Sequence, residues 1–162
     1  VAETGVQVEG FYLESQALAQ NLRGCMEACF AAATLGAEAD RLLRRYAALD
    51  LPRAAVWQAA CAAYLEEYLD GMEAALRAEA PGLHLRPRFS PGYGDLDISN
   101  QQAMFFLLEL EKRLGLSLTP ARMMLPEKSV TAIIGLSKEP RKAAGGCASC
   151  AKTDCPNRRK EA

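Results

Sequence analysis

The sequence predicts an α+β fold. Three observations carry that expectation: long stretches with apolar residues at helical spacing, short alternating or β-branched runs between them, and no regular βαβ alternation of the kind that builds a doubly wound sheet. The chain has 162 residues, enough for one domain with a substantial core.

Residues 6–14 alternate weakly and read as a strand entering the domain. Ser15 is placed as the N-cap of a short helix ending near Arg23-Gly24. Cys25 to Thr34 is apolar and bounded, and reads as a buried strand, with Cys25 and Cys29 on one face as small apolar residues. Gly36 opens a helix in which Leu35, Ala39, Leu42, Leu43, Tyr46 and Leu49 recur at helical spacing. Pro52, at a first-turn position, starts the longest helix, reaching about Ala80. Its expected buried stripe is Trp57, Cys61, Tyr64, Leu65, Tyr68, Met72 and Leu76, with Glu66, Asp70, Glu73 and Arg77 on a solvated face. Pro81-Gly82 stops it, and Leu83 to Phe89 reads as a strand leading to a Pro91-Gly92 turn. Ser99 and Gln102 form a capping-box pattern for a helix burying Ala103, Phe106, Leu107, Leu110 and Leu114, closed by Gly115. Thr119-Pro120 suggests one short helical turn, and the β-branched run within Met123–Ser137 a strand or hairpin.

Composition narrows the function classes. Half the residues are apolar, 24% are charged and the net charge is −1, so no global field draws the chain to nucleic acid or an anionic membrane. No apolar run approaches the roughly 18–20 residues that span a bilayer. The start, Val1-Ala2-Glu3-Thr4-Gly5, lacks both a signal-peptide pattern and an initiator Met, so upstream residues are expected. Of six cysteines, Cys25, Cys29 and Cys61 are scattered in apolar surroundings and three cluster at the C-terminal end. That division suits metal or redox chemistry in a reducing compartment, and a cytoplasmic protein is expected. After Ser137 the composition turns to Lys, Arg, Gly and Ala. The expected organisation is therefore a domain over 1–137 and a basic, Cys-rich tail over 138–162.

The most informative stretch is Arg88-Phe89-Ser90-Pro91-Gly92-Tyr93. Pro-Gly favours a type II turn in which Gly takes the positive φ that other residues resist. An Arg before such a turn can grip a carboxylate bidentately, and a Tyr after it can offer its face to a cation. The same pattern also serves as a strand–turn–strand connection with an incidental Arg.

The flanking order decides between them. Arg88 to Tyr93 is followed by a helix containing Leu108-Glu109-Leu110-Glu111-Lys112, then Gly115-Leu116-Ser117-Leu118-Thr119, then Met124-Leu125-Pro126-Glu127-Lys128-Ser129-Val130. In order and spacing, residues 57–137 resemble the activation domain of vitamin B12-dependent methionine synthase, and Ala33-Thr34-Leu35-Gly36 to Arg45 is similar to its free-standing members. The resemblance implies a twisted, mainly antiparallel sheet with long helices packed on it. It also implies a role in reductive reactivation, as an accessory to methyltransferase chemistry: S-adenosylmethionine (AdoMet) is held over a cobalamin carried by a partner, whose reduced form is then remethylated. Under this resemblance Arg88 clamps the AdoMet carboxylate, and Ser90 and Gly92 contact the cofactor through backbone groups. Pro91 shapes the turn, Tyr93 lies near the sulfonium, and Glu67 in Tyr64-Leu65-Glu66-Glu67 takes the α-amino group or ribose. One departure stands out. The family carries a Glu about six residues before the motif Arg, where this chain has Gly82, a loss worth roughly 1.5–3 kcal/mol of grip on the cofactor.

Cys147, Cys150 and Cys155, followed by Pro156, give C-x₂-C-x₄-C-P. The close pair is a two-ligand chelate for zinc or an iron–sulfur cluster, while the alternative is a basic tail with free thiols. The missing fourth ligand could come from His84, a core cysteine, a second chain or an external ligand. A cluster there would suit delivery of a low-potential electron. The partners implied are a cobalamin-bearing methionine synthase domain or corrinoid protein, and a flavodoxin-like or ferredoxin-like electron donor. A second function of a different class is a metal-binding or electron-transfer adaptor for corrinoid methyltransferases that no longer binds AdoMet.

Overall fold

The computed structural model describes residues 1–2 and 4–140. They form a mixed α+β architecture of small antiparallel sheets with long helices. The first strand expected from the sequence is a hairpin. Strand β1 (Gly5–Val8) pairs antiparallel with β2 (Phe11–Glu14) around Glu9 and Gly10, both at positive φ. Positive φ at both central residues is the signature of the tight primed turn that reverses a twisted strand pair, and weak alternation across it reads as one continuous run. Ser15 caps α1 (Gln16–Asn21) by accepting from the Leu18 amide, as its position predicts.

The central sheet has the order β3-β7-β4, formed by Glu27–Thr34, Ser129–Ser137 and the short His84–Leu85, all antiparallel. On one face Phe30, opposite Ile133, joins Leu18, Leu22, Phe89, Leu96 and Met104 in the main core. By the period-2 pleat, Ala31, Ala33, Ala132 and Ile134, all buried, point to the other face, where α3 packs against β3 and β4. Cys25 lies before β3 against the main core, whereas Cys29 lines a groove with Met72, so the two cysteines do not share a face.

Helix α2 (Gly36–Leu49) packs on α3 (Leu51–Glu79), a 29-residue helix with Asp50 as N-cap and Pro52 in its first turn. Trp57, Cys61, Leu65, Met72 and Leu76 of the expected α3 stripe are buried or half-buried, and the stripe departs from expectation at its two tyrosines. Ala54, Cys61 and Leu69 are buried, while Tyr64 and Tyr68 are 64% and 59% exposed. On the face expected to be solvated, Glu66, Asp70 and Arg77 are exposed while Glu73 is largely buried, and the three carboxylates also meet the segment carrying Arg88. The alanines let either face read as apolar, so periodicity alone left the exposure of the tyrosines open.

Beyond the main sheet the corrections are local. A 3₁₀ turn, Ile98–Asn100, is capped by Asp97, not Ser99. Helix α4 (Gln101–Leu108) buries Gln101, Ala103, Met104 and Phe105 and exposes Phe106. Glu109 at φ 50 separates α4 from α5 (Leu110–Leu114), which ends on Gly115 at φ 64. Thr119–Arg122 is a β-turn joining β5 (Ser117–Leu118) to β6 (Met124–Leu125), with the Arg122 amide donating to the Thr119 carbonyl; no helical turn forms there. Among the described residues no helix is long and apolar enough to cross a membrane.

Candidate functional site

The site begins with a register shift. His84 pairs with Ser137 and Leu85 with Leu136, and continuing that register would set Arg88 opposite Ile133, pointing into the main core. Instead Phe89 takes the place opposite Ile133, exchanging two backbone hydrogen bonds with it at 3.0 and 2.8 Å. One extra residue is thus accommodated between Arg86 and Phe89, as in a β-bulge. Pro87, which has no amide hydrogen to lose, sits inside that stretch, and its carbonyl accepts from the Asn21 side chain at 3.0 Å. The shift buries Phe89 and turns Arg88 toward α3.

There Arg88 meets three carboxylates at positions i, i+4 and i+7 of one helical face. Its Nη1 lies 2.9 Å from Asp70 and 3.0 Å from Glu73, and its Nη2 lies 2.9 Å from Glu66. Partial burial by itself would lower the Arg88 pKa. The hydrogen bond to Asp70 and the charges of Glu73, Glu66 and Asp70 outweigh it, so the pKa is raised and the guanidinium stays charged. The carboxylates differ in setting. Glu66 and Asp70 side chains are each 67% exposed, whereas Glu73 is 14% exposed and also holds Arg77 at 2.8 Å.

The chain then turns over Ser90-Pro91-Gly92-Tyr93, with the Tyr93 amide donating to the Ser90 carbonyl at 3.0 Å and Gly92 at φ 88. The backbone conformation favours glycine, and a Cβ on Gly92 would come within 3.1 Å of Ile98 Cδ1, which would have to give by a few tenths of an ångström. The Gly92 amide donates to the Leu96 carbonyl at 2.7 Å and is therefore engaged within the loop. Ser90 Oγ donates to the Thr131 carbonyl at 2.6 Å, fastening the turn to β7. At the far end of the loop the Asp95 carboxylate accepts from Ser15 Oγ and from the Gln16 and Ala17 amides at the start of α1. The Ser15 hydrogen bond, with those of the amides, holds the Asp95 pKa below the ordinary carboxylate value against the opposing effect of burial.

Arg88, Phe89 and Tyr93 line a cleft of about 700 Å³ together with Glu73 and Arg77. Tyr93 is 66% exposed and stands edge-on to Phe89, with ring centroids 5.3 Å apart. The structure thus brings Arg88 and Tyr93 to one cleft, with Ser90, buried Pro91 and Gly92 forming the turn between them. Glu67 is exposed and is not among the carboxylates on Arg88; its neighbour Glu66 is. Cys147, Cys150 and Cys155 lie outside the described residues. Among the described residues no group of three His, Cys, Asp or Glu side chains has a metal-holding arrangement, and His84 is exposed on β4.

The chain matches no known protein-family model and no curated protein sequence.

Sequence reasoning missed Glu66, Asp70, Glu73 and Asp95 as parts of the site. The i, i+4, i+7 spacing of the first three was visible, but the charged stripe was assigned to solvent. Pro87, in the middle of an expected strand, was the available signal for the extra residue that brings Arg88 to that stripe.

Proposed function

We propose that this chain is an accessory reactivation module for a cobalamin-dependent methionine synthase or a related corrinoid protein, with an activation-domain-like fold. It would hold AdoMet beside a cobalamin carried by its partner. The observation that carries this reading is the placement of Arg88 and Tyr93, at the two ends of one Pro-Gly turn, on a single cleft of about 700 Å³. That volume suits a nucleoside-sized cofactor.

When bound, AdoMet supplies the methyl group. The residues of this chain supply position, since neither a nucleophile nor a general base is needed from them. Arg88 offers a planar fork for the cofactor carboxylate, and the exposed Tyr93 ring offers a face to a cationic sulfur. Gly92 keeps the approach clear of a side chain, although its amide is already bonded to Leu96. The low-potential electron would come from a flavodoxin-like or ferredoxin-like donor, and a zinc or iron–sulfur site at Cys147, Cys150 and Cys155 is part of the same proposal.

A second reading is an adaptor for corrinoid methyltransferases that has lost AdoMet. It draws support from Gly82, which turns the chain at φ 83 and offers no side-chain acceptor, and from the three carboxylates already on Arg88. Calorimetric titration with AdoMet separates the two. Binding by the wild type that weakens tenfold or more in Arg88→Ala supports the reactivation module. A wild type that gives no binding heat and leaves the melting temperature unmoved at millimolar AdoMet favours the adaptor.

A further inference from the structure

The three carboxylates on Arg88 are not equivalent. Glu73 lines the cleft, is largely buried and is shared with Arg77, so it is a fixed counter-ion. Glu66 and Asp70 do not line the cleft, are mostly in solvent, and have no other cation within ion-pair distance among the described residues. Long exposed side chains of this kind swing away at little cost. Between them they occupy both terminal nitrogens of Arg88, the atoms that would meet an anion.

A ligand carboxylate that takes both terminal nitrogens of Arg88 end-on therefore has to displace Glu66 and Asp70. Counting Arg77, Arg88 and the three carboxylates, the ion-paired cluster already carries one surplus negative charge, while Arg86, which also lines the cleft, donates to the Arg23 carbonyl and Ser137 Oγ. A plain anion would add to that surplus and leave two carboxylates without a partner. A ligand that brings an ammonium group beside its carboxylate gives the displaced pair a new counter-ion and leaves the charge of the cluster unchanged. We propose that Glu66 and Asp70 form an internal counter-ion latch on Arg88, which makes the cleft select zwitterionic, amino-acid-type ligand ends and reject plain carboxylates. The ligand-class half of this statement rests on the function proposed above; the latch itself rests on the ion pairs alone.

The test uses the full chain and its Glu66→Gln/Asp70→Asn variant, both changes lying at exposed positions, with circular dichroism and melting confirming the fold. Two probes are titrated: S-adenosylhomocysteine, which has a free ammonium, and its N-acetyl derivative, which has only the carboxylate. The wild type is expected to prefer the free amine by roughly tenfold or more, and the variant by less than about threefold, chiefly because the N-acetyl compound binds it several-fold tighter. An unchanged preference, or an N-acetyl compound bound no tighter by the variant, overturns the proposal. Acetate, followed through the Arg88 Nε–H resonance, decides the latch separately. The variant should respond at several-fold lower acetate concentration than the wild type, and equal responses refute the latch. If neither adenosyl compound binds while acetate distinguishes the two proteins, the AdoMet reading and the zwitterion selectivity fall and the latch stands.

Discussion

Arg88→Ala removes the one cation among the described residues that pairs with Glu66, Asp70 and Glu73 together, and its stability cost can be worked from the exposure of each partner. The pairs with Glu66 and Asp70, whose side chains are 67% exposed, are screened by water and contribute about 0.2–1 kcal/mol each. Glu73 is 14% exposed, and stripping one partner from a largely buried carboxylate costs more, up to about 3–5 kcal/mol when nothing compensates. Here Arg77 still holds the other oxygen of Glu73 at 2.8 Å, so roughly 1–2 kcal/mol is the reasonable share. The total is about 1.5–4 kcal/mol, which for a chain of this size lowers the melting temperature by about 3–16 °C. Urea denaturation monitored by circular dichroism reads this as a lower midpoint at unchanged slope. If the penalty lies mainly in a stranded buried carboxylate, Glu73→Gln in the Arg88→Ala background returns a large part of the loss, giving a coupling energy of 0.5 kcal/mol or more. An Arg88→Ala protein within about 0.5 kcal/mol of wild type, or a double variant less stable than Arg88→Ala alone, would refute the account.

Two further outcomes follow from the turn. Gly92→Ala forces a side chain into a backbone at φ 88 and against Ile98, and should cost about 1–2 kcal/mol in a thermal melt, with no loss if the turn can relax. Asp95 has a pKa lowered in the folded state, so its contribution is fully present above the unfolded value near 3.8 and is lost as pH falls through the folded value. Asp95→Asn should flatten the fall in melting temperature below that range, and parallel profiles for the two proteins would remove Asp95 as a pH-sensitive tie between the loop and α1.

Much of the local structure was legible because it depends on neighbours in sequence. Ser15 caps α1 because a side-chain oxygen one residue before a helix can reach an unsatisfied amide whatever surrounds it. Pro52 lies in the first turn of α3, and Pro81-Gly82 follows its end, for equally local reasons. The Pro91-Gly92 turn and the closing Gly115 required only a backbone that tolerates positive φ. The mixed α+β class followed from the alternation of such elements.

What tertiary structure decided was orientation. Helical spacing groups Glu66, Asp70 and Glu73 on one face, and Tyr64 with Tyr68 on another, but it does not say which face meets the sheet. On an alanine-rich helix the hydrophobic contrast between faces is too small to choose. In the packed structure Leu69 is buried while Tyr64 and Tyr68 are exposed, and a guanidinium arrives at the charged face from a segment 15 to 22 residues further along the chain. That arrival depends on one extra residue between Arg86 and Phe89, which converts a position aimed at the core into one aimed at the helix. A one-residue change of register inverts every side chain after it, because strand side chains alternate with period two. The sequence by itself determined that Arg88 and Tyr93 flank a tight turn; only the packed sheet decided that Arg88 meets three carboxylates at the edge of a cleft.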